Sequence, residues 1–350
     1  MAEDRDGAIE AALAEIPAEH LDADLVAAKV ARVEDGRITL RYPYPGQSAG
    51  QRAVAQIRER LRDTGHEASV EVVTKIEPRL CPGGAERLPG VANVVAVASA
   101  KGGVGKSTVA ANLALGLQAE GARAGLLDAD VHGPSVAAAF GGGTPQVNDA
   151  EQLEPLRLGG LQAISMGHLI EGDQPMVWRG PMVAKALRQF LRETAWRDLD
   201  FLVVDLPPGT GDVPLSLAQN APLAGAVIVT TPQELAIADA RRGVKMFEKV
   251  SVPVLGYVAN MIHFICPGCG AKHEVFGPGA AGQFGRELKL SSLAELPLDS
   301  RIGTSAEPVL LANPEAPVSA AFRELAVRVG VELLKRPVDR GAKLPPIKPA

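Results

Sequence analysis

The sequence predicts an α/β fold, a mostly parallel sheet flanked by helices, with a small α+β domain ahead of it. Three observations carry this. From residue 91 onward, short and nearly continuous apolar runs alternate with helical stretches, the pattern left by strands buried on both faces. One such run, "VANVVAVASA", opens directly into the glycine-rich stretch "KGGVGKST". Before residue 77 the pattern is different: two strands around Asp35-Gly36, one helix and an alternating strand.

Residues 1–76 read as the small domain. "AAKVARVEDGRITLRYPYP" is two strands joined by the Asp-Gly turn, "AGQRAVAQIRERLRDTG" is a helix ending at Gly65, and "EASVEVVTKI" closes the sheet with β-branched alternation. Residues 77–90, "EPRLCPGGAERLPG", are rich in proline and glycine and read as a linker. In the larger domain, 91–336, strands are expected at 93–99, 122–128, 161–166, 200–205, 225–230 and 253–259, with a short one near 293–297. Helices are expected at 106–120, 181–194, 212–220 and 235–250. The proline-rich tail, 337–350, reads as disordered.

With 350 residues the chain suits about two domains, and 46% hydrophobic against 22% charged residues supports a sizeable core. A formal net charge of −5 with no basic patch argues against nucleic acid as a partner. No apolar run approaches the ~18 residues of a membrane span. The start, "MAEDRDGAIEAALAEIP", is acidic and lacks a secretory layout, so the reading is a cytoplasmic protein without a membrane partner. Three cysteines, Cys81, Cys266 and Cys269, are too few for a disulfide scaffold.

"AKGGVGKS" lies between a predicted strand and a predicted helix, the context a phosphate-binding loop requires. Glycine backbone turns N–H groups inward and the helix adds its positive dipole end. The nucleotide contacts are expected from Gly102, Gly103, Val104, Gly105, Lys106, Ser107 and Thr108, with Lys106 on the terminal phosphates. The standard pattern has glycine where this chain has Ala100, which is tolerated if its φ is negative. "LLDADVHGPS" puts Asp128 and Asp130 at one strand end, and "FLVVDLPPGTGD" puts Asp205 at another. Ligands of open parallel sheets bind outside the carboxyl ends of strands, so these groups converge. Asp205 is assigned with Ser107 to Mg²⁺, and Asp130, on a loop with Gly133 and Pro134, to orienting an attacking water.

"HFICPGCGAKHEVFG" contains Cys266-Pro-Gly-Cys269, a turn that presents two thiolates to one metal. Two thiolates are half of a tetrahedral set. His263 and His273 complete it for Zn²⁺, or the same cysteines of a second subunit complete it for a [4Fe–4S] cluster. A redox pair is the third option.

The extra lysine, Lys101, makes "KGGVGKST" resemble the deviant loop of P-loop NTPases that include division-site, partition and nitrogenase-iron-protein ATPases. The resemblance implies that Lys101 reaches across a homodimer interface to the partner's nucleotide, where it is catalytic together with Lys106 and Asp130. Residues 91 to about 322 resemble the Mrp/ApbC family of iron–sulfur cluster carrier ATPases. The matching stretches are "SAKGGVGKSTVAANLA", "LLDADVHGPS", "WRGPMV", "DLPPGTGD", "TTPQELAIADARRGVKMF", "ANMIHFICPGCG" and "ELPLD". That resemblance implies a homodimer bridging a labile [4Fe–4S] cluster through Cys266 and Cys269 of each subunit. The same resemblance implies that ATP is bound and hydrolysed, that apo iron–sulfur proteins receive the cluster, and that Asn260 and the backbone near Pro297 hold adenine. A positioning or partition ATPase and a zinc-bound structural ATPase are the alternatives. Residues 1–76 resemble the metal–sulfur-cluster biosynthesis domain often fused ahead of this ATPase. Its usual turn cysteine is absent, since "YPYPGQSAG" has Gln47 and Ser48 there, which points to docking or regulation.

Overall fold

The computed structural model describes residues 2–64, 68–82, 85–130, 143–169, 180–266, 268–276, 280–303, 307–339 and 341. The chain forms two compact units, residues 1–77 with 119–122, and residues 78–118 with 123–350.

In the first unit, α1 (Ala2–Leu13) precedes β1 (Ala31–Glu34), β2 (Arg37–Tyr42), α2 (Gln47–Thr64) and β3 (Ser69–Thr74). The sheet order is β1-β2-β3, antiparallel then parallel. Ile38, Leu40 and Tyr42 alternate inward on β2 and are buried with Ala53, Ile57 and Leu61, spaced four apart on α2. The turn at Asp35 and Gly36 has positive φ at both residues, 50° and 71°, as a two-residue hairpin demands. The Asp6 carboxylate accepts from both of their N–H groups, at 3.1 and 2.8 Å. In the first turn of α2 the Ser48 N–H donates to the buried Glu120 carboxylate at 2.8 Å.

The second unit is built on an eight-stranded sheet. Its strands are β4 (Val91–Ala98), β5 (Ala124–Asp128), β6 (Leu156–Leu158), β7 (Leu161–Ser165), β8 (Leu199–Asp205), β9 (Leu223–Thr230), β10 (Val254–Ala259) and β13 (Ser292–Glu295). Their order is β13-β10-β9-β4-β8-β5-β7-β6, parallel throughout except for the β6/β7 hairpin. The helices are α3 (Lys106–Ala119), α4 (Gly180–Glu193), α5 (Asp212–Asn220), α6 (Glu234–Lys249), α7 (Ala280–Leu288), the short α8 (Ser300–Gly303) and α9 (Val309–Ala312), and α10 (Pro317–Leu334). Strands β5, β8 and β9 are buried along their whole length, which is why they read as unbroken apolar runs. The expected strands and helices are present with ends shifted by a few residues at most. The structure adds α1, β6, α7, α10 and a small hairpin, β11 (Phe264–Ile265) with β12 (Lys272–His273). No helix among the described residues is long and apolar enough to cross a membrane. Helix α10 is instead a core helix, burying Val318, Phe322, Leu325 and Val329.

The stretch read as a linker is bound to the second unit. The Arg79 N–H donates to Asn93 Oδ1 at 2.9 Å, its buried guanidinium donates to the Arg336 carbonyl at 3.0 Å, and Arg87 pairs with Asp339 at 2.7 Å. Val338 bridges to Arg79, so residues 337–339 are ordered against it, contrary to the expectation of a tail disordered from 337. Residues 342–350 lie outside the described residues, as do Gly133 and Pro134. Cys81 is half-buried and its thiol donates to the Pro222 carbonyl at 3.1 Å. Pro222 immediately precedes β9, so Cys81 sits at the amino ends of the strands, opposite the rim that carries the other two cysteines. Burial pushes its thiol up.

Candidate nucleotide site and cysteine hairpin

Because β4, β5, β8, β9 and β10 run parallel, the segments that follow them emerge on one rim. The loop after β4 leads into α3 at Lys106, and Asp128 and Asp205 end β5 and β8 as direct register partners. Gly103 and Gly105 have φ of 80° and 84°, the left-handed backbone that glycine permits, while Ala100 has no positive φ.

Lys106 is the centre of the site. Its ammonium is 6% exposed and lies 2.5 Å from Asp205 Oδ1, 3.2 Å from Ser107 Oγ and 3.7 Å from Asp130 Oδ2. Asp205 is wholly buried, and its Oδ2 has no hydrogen-bond partner. Burial pushes its carboxyl up, against the pull of Lys106 and of the neighbouring Ser107 hydroxyl. Asp128 is equally buried. It accepts from Ser165 Oγ at 2.9 Å and from the Asp130 N–H at 3.0 Å, and its pKa is pushed up to about 7 by burial first and by Asp205 second. An orphaned carboxylate oxygen beside a hydroxyl is a donor set that fits a hard, oxygen-seeking divalent cation.

A cavity of about 250 Å³ opens over the loop, lined by Gly102, Gly103, Gly105, Lys106, Ser107 and Thr108 with Asp130, Ser99 and Pro208. Drug-sized ligands fill roughly 300–1,000 Å³, so this space matches the phosphate end of a nucleotide. Val104, Lys101, Asn260 and Pro297 lie outside that lining. Lys101 is exposed. Asn260 is buried against the loop, its Nδ2 donating to the Val104 carbonyl at 2.9 Å and its Oδ1 accepting from the Met261 N–H at 3.0 Å. Pro297 follows β13, between Leu296, whose N–H donates to Ala259, and Leu298, whose N–H donates to His263. Ser99, Pro208 and Ser165 belong to the site without having been singled out. Pro208 stood inside the "DLPPGTGD" stretch, whereas Ser165 had no local signal.

Three residues beyond Met261, the β11/β12 hairpin begins and presents the cysteines. The Cys266 N–H donates to Ala271, and the Gly270 N–H returns to the Cys266 carbonyl at 2.8 Å. Cys266 is partly exposed, Cys269 is exposed, and both are free thiols. The N–H groups of Cys269 and Gly268, with the Cys269 side chain, pull the Cys266 thiol below its ordinary value, so the turn favours the thiolate that binds metal. Pro267 lies outside the described residues. Among the described residues, no three His, Cys, Asp or Glu side chains gather as a metal site, so His263 and His273 do not join the cysteines in a preformed four-ligand set.

A parallel sheet whose central strand ends in a glycine loop cradling an anion-sized cavity, with a lysine and strand-end aspartates below it, defines a P-loop NTPase. The family model for the NUBPL iron-transfer P-loop NTPases of the ParA group matches residues 90–330, and the chain belongs to that family. It is 49% identical over 269 residues to an iron–sulfur cluster carrier protein of Pseudomonas fragi, covering 75% of this chain and 94% of that protein. It is 44% identical over 307 residues to the iron–sulfur cluster carrier protein of Escherichia coli K12, covering 85% and 82%. Among solved structures, a nucleotide-binding protein of Archaeoglobus fulgidus in complex with ADP superposes with a TM-score of 0.59 at 40% identity, covering 67% of this chain and 93% of that one. The cell-division ATPase MinD of Pyrococcus furiosus shares the fold, with a TM-score of 0.51 at 21% identity over 68% of this chain and 98% of that one.

Proposed function

We propose that the chain is an ATP-dependent iron–sulfur cluster carrier, working as a homodimer that holds a [4Fe–4S] cluster and passes it to apo-proteins. The observation that carries this is the Cys266–Cys269 turn on the rim that also holds the phosphate site, with Cys269 exposed and the Cys266 thiol drawn toward thiolate. One chain supplies two of the four thiolates that such a cluster requires, and a second copy supplies the others. The names of the relatives and the ADP complex of the Archaeoglobus protein support the cargo and the nucleotide. The cytoplasm, where thiols stay reduced, is the compartment that fits.

In this reading Gly102 to Thr108 wrap the phosphates, and Lys106 exchanges Asp205 for the terminal phosphates when nucleotide enters. Ser107 and Asp205 hold Mg²⁺, which neutralises phosphate charge when bound. Asp130, at the cavity wall, orients the attacking water. Lys101, exposed and outside its own cavity, serves the partner's nucleotide as a charge stabiliser. Asn260 and the backbone near Pro297 flank the adenine.

The test is iron and acid-labile sulfide per dimer, with the visible spectrum, for wild type and Cys266→Ala prepared without oxygen. About four of each, lost in the variant, are expected. Zinc in place of iron, or a cluster indifferent to the substitution, would overturn the reading. His263→Ala with His273→Ala is expected to keep the cluster, and transfer to an apo acceptor is expected to depend on ATP.

A further inference from the structure

The cysteine hairpin is joined to the phosphate loop through one side chain. Asn260, 6% exposed, follows β10 and touches the loop that lies 156 residues earlier in sequence. Its Nδ2 donates to Val104 and its Oδ1 takes the Met261 N–H. A Cβ on Gly105 would stand 2.3 Å from that Nδ2, so glycine at 105 is what lets the amide close on the loop. Met261 is held at φ 58°, a left-handed conformation that side chains other than glycine avoid, and such outliers cluster where a backbone is overdetermined. From there the chain is held by backbone contacts at successive residues. The Ile262 N–H donates to Leu296, Leu298 donates to His263, Phe264 bridges to Leu298, and Cys266 follows.

Resting on the reading of loop and hairpin given above, we propose that Asn260 is a positioning residue that couples occupancy of the phosphate loop to the reactivity of Cys266 and Cys269. Phosphates drawing the loop N–H groups inward rotate the Val104 peptide, and Asn260 with Met261 carries that movement to the hairpin. Nucleotide thereby changes how open the cluster ligands are to attack and release.

The experiment uses the full chain, reduced and free of iron. Alkylation of each cysteine by iodoacetamide is followed by peptide mass spectrometry, with and without a non-hydrolysable ATP analogue and Mg²⁺. Cys81, at the opposite end of the sheet, is the internal control. In wild type the Cys266 rate is expected to change by about fivefold or more, the lower end of usual site-to-site couplings, while Cys81 does not respond. Asn260→Asp keeps the acceptor for Met261 and removes the donor to Val104. At saturating nucleotide, verified by titration, the response should fall below about twofold. Met261→Gly loosens the backbone strut and keeps Asn260, at the loss of a side chain whose Cε lies beside Gly105; at saturating nucleotide it should lose the response in the same way. Light scattering on every sample establishes that the variants match wild type in oligomeric state. Equal thiol rates in wild type with and without bound nucleotide, or a full response in Met261→Gly, would overturn the proposal. A full response in a protein that takes up no iron and sulfide would sustain the coupling and sink the cargo.

Discussion

Asp128 and Asp205 stand side by side as register partners on adjacent parallel strands, both without solvent exposure, and the Lys106 ammonium is bound to the second of them at 2.5 Å. Two buried carboxylates beside one cation cannot both ionise cheaply: burial pushes both carboxyls up, that of Asp128 to about 7.

A carboxyl that holds its proton more tightly folded than unfolded contributes stability at low pH and loses it as pH rises through the folded pKa. Between the ordinary 3.8 and about 7 the nucleotide-free protein should therefore lose stability through Asp128. The loss is at most roughly 4 kcal/mol. Asp128→Asn should abolish this component and be the more stable protein at high pH. Denaturant melts of both proteins on either side of neutrality decide it, and parallel pH profiles would refute it.

Removing Lys106 leaves Asp205 buried without its partner, at a cost of about 3–5 kcal/mol before protonation relieves part of it. Lys106→Met is expected to melt well below wild type. Lys106→Met combined with Asp205→Asn should recover most of the loss while binding no nucleotide. Equal melting of the single and double variants would show that the pair does not carry this charge balance.

Gly105→Ala meets two obstacles, a φ of 84° and Asn260 Nδ2 at 2.3 Å from the new Cβ. Strain of this kind costs on the order of 1–3 kcal/mol. Adding Asn260→Ala should relieve the clash but not the backbone strain, so thermal melts should show partial recovery. Strict additivity of the two substitutions would mean they do not meet.

Lys101→Ala should lower the hydrolysis rate by about 10³ or more, the range of a charge supplied in trans, and leave nucleotide affinity nearly unchanged. Mixed with Lys106→Ala, which still offers Lys101, it should regain activity through hybrid dimers. No recovery on mixing would place Lys101 in its own site.

The local elements were legible because short-range rules specify them. Apolar runs with glycine punctuation reveal β4, β5, β8, β9 and β10, and the Asp35-Gly36 turn reveals β1 and β2. Among the elements that escaped, α1 and β6 have weak local signals. Among its described side chains, helix α1 presents Ile9 and Leu13 as the large buried anchors, and β6 is three residues long before Gly159-Gly160 reverses it. The linker reading failed at Arg79 and Arg87, whose partners, Arg336 and Asp339, lie some 250 residues away.

By itself the sequence determined the phosphate loop, the strand-end aspartates and the cysteine turn, because each depends on backbone conformation and spacing within a few residues. Tertiary structure alone decided which of them meet. Strand order brings Asp128 against Asp205 and Ser165 against Asp128, sends Cys81 to the far end of the sheet, and closes Asn260 on Val104. Those are distances between residues remote in the chain, and only the packing of strands and helices around one core sets them.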